Sequence, residues 1–94
     1  MIGVLLSARM QKTAAKLPDE VREKASEALA AVAQAFGDPH RHGGLGLRKL
    51  AKHTYEIRVH LQWRILLIHD GETLIAFDVM NHAEVKQWLK GKRK

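Results

Sequence analysis

From Thr54 to Met80 the chain consists of three apolar runs separated by very short breaks, and this limits its fold more than any other feature. In the first, "TYEIRVHLQWR" (residues 54–64), Tyr55, Ile57, Val59 and Leu61 alternate with Glu56, Arg58, His60 and Gln62. Successive strand side chains point to opposite faces, so residues 54–61 read as a strand with one apolar and one polar face. Residues 63–69, "WRILLIH", are nearly continuous and read as a central strand, while 73–80, "TLIAFDVM", alternate again. "DG" at 70–71 is a hairpin signal between the last two. Together they spell a three-stranded antiparallel meander.

Helical patterns flank it. Residues 2–6, "IGVLL", read as a short buried strand with Ser7 as the N-cap of a first helix carrying Met10, Ala14 and Leu17 at helical spacing. In "PDEVREKASEALAAVAQAF", Val21, Ala25, Ala28, Leu29, Val32 and Phe36 form one apolar stripe; Asp19 and Glu20 sit at the positive end of the helix dipole. Gly37 and Pro39 mark its end. "GDPHRHGGLGLRKLAKH" reads as a loop by composition. "NHAEVKQWLK" reads as a terminal helix, with Asn81 and Glu84 at capping-box positions and Val85, Trp88 and Leu89 along one edge. The expected fold is therefore α+β: a short N-terminal strand, a two-helix hairpin packed on an antiparallel sheet, and a short C-terminal helix, in the order βααβββα. A chain of 94 residues holds one domain, 1–94.

Charge narrows the partners. The chain has 16 Lys and Arg against 10 Asp and Glu, and residues 38–94 carry nearly all the excess together with every histidine. A basic, histidine-rich half suggests a polyanionic partner, nucleic acid before an acidic protein; the alternative is a charge that serves solubility alone. With no cysteine, disulfides and thiolate metal sites are excluded. "MIGVLL" is too short for a signal peptide and no apolar run approaches a membrane span, so the cytoplasm is expected and no membrane.

Several segments carry a resemblance in their order: "KLP" at 16–18, "RKL" at 48–50, "YEIRV" at 55–59, "WRILLI" at 63–68 and "DVMNHAEVKQWL" at 78–89. The chain resembles the RelE/ParE superfamily of type II toxin–antitoxin toxins over essentially its whole length. That resemblance implies a single RelE-like toxin domain neutralised by a cognate antitoxin. In many members it also implies mRNA cleavage in the ribosomal A site. Arg58 and Arg64 match basic residues of the family's cleft, and His82 matches the histidine used by the YafQ-like and YoeB-like branches. Two positions depart: Glu56 stands where RelE has lysine, and Lys86 where some members have an aromatic residue. ParE-like members share the fold yet act on DNA gyrase, and a degenerate member would only bind its antitoxin.

The chemistry of the residues agrees with that expectation. RNA cleavage without a metal needs a base for the 2′-hydroxyl, an acid for the leaving 5′-oxygen and positive charge on the phosphorane. Histidine suits proton transfer near neutral pH, and arginine donates paired hydrogen bonds to phosphate oxygens. The candidate catalytic set is Arg58, Arg64, His82 and His60. Arg48, Lys49, Lys52 and Lys86 are candidates for RNA phosphates, as is the tail of Lys90, Lys92, Arg93 and Lys94, whose alternative is a solvated rim. Glu56 is expected either to pair with Arg58 or to act as a base. Trp63 and Trp88 are read as core or antitoxin-groove residues. "HRH" at 40–42 places two histidines in a glycine-rich loop, which without carboxylate or thiolate support makes only a weak metal site, and no cofactor is expected.

Overall fold

The structure, a computed structural model, describes residues 1–92. Its elements are β1 (Gly3–Leu6), α1 (Ala8–Ala15), α2 (Asp19–Ala35), α3 (Pro39–Leu45), β2 (Leu47–Ala51), β3 (Thr54–His60), β4 (Trp63–Asp70), β5 (Thr73–Asn81) and α4 (His82–Lys92). The strands form a five-stranded sheet in the order β1-β5-β4-β3-β2. β1 runs parallel to β5 and all other neighbours are antiparallel. No helix among the described residues is long and apolar enough to cross a membrane.

The main core lies between one sheet face and the first two helices. Met10, Leu17, Val21, Ala25 and Val32 from the helical layer meet Ile57, Ile65, Leu67, Leu74 and Ala76 from the sheet. Both helical stripes are those expected from their spacing. Ser7 caps α1 by accepting the Met10 N–H at 2.9 Å, and its hydroxyl donates to the Phe77 carbonyl at 2.6 Å. One side chain thus starts a helix and ties it to β5. Gly37, at φ +98°, ends α2 where an L side chain would be strained.

The opposite face is only partly covered. Val85, Trp88 and Leu89 of α4 pack on Leu66, Met80, Phe77 and Leu50 as a smaller apolar cluster. The capping box forms as read: Asn81 Oδ1 accepts the Glu84 N–H at 2.8 Å, and Glu84 Oε1 accepts the Asn81 N–H at 3.0 Å. The rest of that face, beside β2 and β3, stays open.

Four details differ from the sequence reading. β1, read as a buried strand, is an edge strand with Leu5 61% and Leu6 44% exposed. The segment read as a loop contains α3 and β2. Asp38 accepts the His40 N–H at 3.2 Å, Pro39 begins the helix and Gly46 closes it at φ +75°, so capping overrides a glycine-rich composition. β2 exists because it pairs with β3, Leu47 opposite Ile57, not because it alternates. The β4–β5 turn is Gly71–Glu72, with Asp70 paired to Thr73; Gly71 takes the positive φ that a first central turn position demands. Finally, Leu61 does not join the apolar face of β3. It sits in the β3–β4 turn at φ +47° and is 79% exposed.

Candidate functional site

The open face is organised in two rows across the strands. Arg48, Glu56, Leu66 and Asp78 are successive cross-strand partners in one row; Arg58, Arg64 and Met80 form the next. Arg58 and Arg64 therefore stand directly opposite each other. Like charges in that relation are destabilising, so the pair needs negative charge from the protein or from a ligand.

Glu56 supplies part of it. Its side chain is 4% exposed, Oε1 accepts a hydrogen bond from Arg48 Nη2 at 3.0 Å, and Oε2 lies 3.2 Å from Arg64 Nε. Arg64 also donates through Nη1 to the carbonyls of Leu61 and Trp63, at 3.0 and 3.1 Å. Arg64 is thus held by both Glu56 of the neighbouring strand and the β3–β4 turn. Arg58, by contrast, is exposed and has no carboxylate within ion-pairing distance among the described residues. Among these four side chains three positive charges face one negative. The surplus favours an anion.

Arg58 owes its place to a residue that the sequence reading passed over. The Gly46 carbonyl accepts the Arg58 N–H at 3.2 Å. A Cβ at Gly46 would meet the Arg58 Cβ at 3.2 Å, and the backbone there has φ +75°. Glycine meets that close approach and the left-handed conformation without strain, whereas a side chain there would need Arg58 to shift by a few tenths of an ångström. Its sequence signal was a glycine next to a basic strand, which is weak on its own.

Arg48, Arg58, Arg64 and His82 line one cleft together with Gly46 and Leu47, with a volume of about 330 Å³. That volume falls within the usual range for small-ligand sites. His82 is the first residue of α4, so the capping box that starts the helix also sets the histidine at the cleft. Four of the candidate residues are therefore brought together.

The others are not. A bulge between Arg58 and His60 shifts the register, so that His60 pairs with Trp63 rather than continuing the polar row. Its Nε2 lies 3.7 Å from Glu20 Oε1 of α2, on the helix-covered side. One inserted residue turns a strand side chain to the opposite face, and this removes His60 from the cleft. Lys49 stands opposite Tyr55, Lys52 lies in the β2–β3 turn and Lys86 on α4; all three are exposed and none lines the cleft. Glu56 pairs with Arg48 and Arg64, not with Arg58. Trp63 and Trp88 pack against the main core and the smaller cluster respectively. Lys90 is exposed, whereas the Lys92 side chain, Arg93 and Lys94 lie outside the described residues. His42 stacks on Phe36 and accepts the Gly37 N–H through Nε2. Among the described residues no group of three or more His, Asp or Glu is gathered as metal ligands do.

Comparison with known proteins adds family and fold. A family model described as a ParE-like toxin domain matches residues 19–85. No curated protein sequence matches the chain. Among solved structures, it is similar to a chain of the RelB–RelE antitoxin–toxin complex from Methanococcus jannaschii, with TM-score 0.68 and 17% identity over 89% of this chain and 96% of that one. The isolated RelE toxin of E. coli matches with TM-score 0.67 and 18% identity, over 95% and 99% of the two chains. A chain of the E. coli DinJ–YafQ toxin–antitoxin complex matches with TM-score 0.64 and 14% identity, over 89% and 96%. At these identities the structural likeness is one of fold.

Proposed function

Because the chain belongs to the ParE-like toxin domain family, within the RelE/ParE superfamily, we propose that it is the toxin of a type II toxin–antitoxin pair and cleaves mRNA on the ribosome. Its partners are then a cognate antitoxin, the ribosome and mRNA. The observation that carries this reading is the cleft in which Arg58 and Arg64 face each other with His82 beside them. An RNA phosphate relieves the repulsion between the two arginines and accepts their hydrogen bonds.

In the proposed reaction the 2′-hydroxyl oxygen attacks the adjacent phosphorus and the bond to the 5′-oxygen breaks. The products are a 2′,3′-cyclic phosphate and a 5′-hydroxyl, so a proton must leave the first oxygen and one must reach the second. Arg58 and Arg64 stabilise the charge that builds on the non-bridging oxygens. With His60 on the other face, His82 is the histidine that lines the cleft, and its role is to protonate the leaving 5′-oxygen, while a water molecule accepts the 2′-hydroxyl proton. No metal takes part.

The test uses ribosomes programmed with a defined codon in the A site. Wild-type protein is expected to cut within that codon, and His82→Ala to lose about 10²–10⁴-fold in rate. Equal cutting by both would remove His82 from the mechanism. No cutting on a panel of codons would remove the nuclease.

The ParE-like description of the matching family model favours a second reading, a non-nuclease inhibitor of DNA gyrase. A supercoiling assay separates the two. Inhibition of gyrase with mRNA left intact would establish this second reading.

A further inference from the structure

A carboxylate beside the arginines of a cleft weakens the field that would attract an anion, so Glu56 needs a reason to be there. Its geometry fits holding arginines better than taking a proton. Both oxygens are engaged, Oε1 by Arg48 and Oε2 by Arg64, and the side chain is buried.

The three arginines are held very differently. Arg64 is 13% exposed and fixed from three directions, by Glu56 Oε2 and by the carbonyls of Leu61 and Trp63. The two carbonyls take Nη1 and the carboxylate lies beside Nε, while Nη2 makes no hydrogen bond among the described residues. Arg48 is 68% exposed and held by Glu56 alone. Arg58 has no side-chain partner in that set. An arginine that orders only when its ligand arrives loses rotamer freedom at that moment; one fixed beforehand does not.

We infer that Glu56 is a positioning residue: it fixes the Arg64 guanidinium in the free protein, with Nη2 presented to the cleft as a preset anchor for one phosphate oxygen. Arg48 and Arg58 remain mobile and close on the ligand afterwards. The rigidity of Arg64 outweighs the negative charge that Glu56 brings. This rests on the reading of the cleft as a phosphate site.

Inorganic phosphate is the probe, titrated into the full chain and followed by NMR at the Arg64 Nε–H and at His82. Wild type is compared with Glu56→Gln, which removes the charge, and with Glu56→Asp, which keeps the charge but shortens the reach. The Arg64 Nε–H is expected to exchange slowly with water in wild type and faster in both variants. Phosphate binding is expected to weaken at least about tenfold in both, although Glu56→Gln has one more net positive charge. Tighter binding by Glu56→Gln in a folded protein would overturn the proposal, because charge alone would then govern the cleft. If Glu56→Gln does not fold, Glu56→Asp decides, and unchanged phosphate affinity there overturns the proposal. Failure of wild type to take up phosphate would sink the reading of the cleft instead; the Arg64 exchange rates would still decide whether Glu56 holds that side chain.

Discussion

At the scale of single residues, the cleft departs from what makes a sheet stable. Two arginines stand opposite each other, and an acid is buried beside them. The buried charge is tolerable because it is doubly paired; among the described residues no buried side-chain nitrogen or oxygen lacks a hydrogen-bond partner. Gly46 is the companion backbone device, letting the start of β2 close on Arg58. Gly46→Ala is expected to cost about 1–2 kcal/mol for the left-handed backbone, with the Cβ contact adding to it. Urea denaturation measures the loss. The NMR shift changes it causes are expected to be largest around Arg58.

At the scale of elements, α4 and the β3–β4 hairpin set the two ends of the row. α4 rests on a cluster much smaller than the main core and begins with a reciprocal cap. Asn81→Ala is expected to destabilise that helix by about 0.5–2 kcal/mol. Amide exchange should then rise across α4 while α2 stays protected. An equal rise in both helices would mean that α4 unfolds only with the whole protein. The hairpin acts through its bulge. It turns His60 towards Glu20 and keeps Arg58 facing Arg64, so His60→Ala is expected to leave the cleavage rate of the folded protein within about twofold, unlike a group in general acid–base catalysis.

At the scale of the whole molecule, one sheet separates stability from the site. Its covered face holds Ile65, Leu67, Leu74 and Ala76, all fully buried. Ile65→Ala is expected to cost about 2–5 kcal/mol in urea denaturation, with no change at the cleft in the protein that remains folded. The open face carries the charge. With a net charge of +6 overall, RNA binding is expected to weaken steeply with salt. Arg58→Gln is expected to reduce the slope of log K against log salt by about 0.7, the contribution of one single-strand phosphate contact. A slope unchanged in that variant would place the RNA elsewhere.

What the sequence determined by itself is whatever depends on neighbours along the chain. Apolar spacing marked both helical stripes, alternation marked β3 and β5, and Ser7, Asn81, Glu84 and Gly37 marked helix ends by their own hydrogen-bonding and backbone chemistry. The charge surplus and the candidates Arg58, Arg64 and His82 were legible too, the last three through resemblance to a family. The tertiary structure alone decided register and partners. β2 became a strand because β3 lay beside it; one bulge sent His60 to the helix side; Glu56 took Arg48 and Arg64 instead of Arg58. The physical reason is the period of a strand. A shift of one residue reverses every side chain beyond it, and that shift is set by pairing between strands, which the order of residues along one strand does not record.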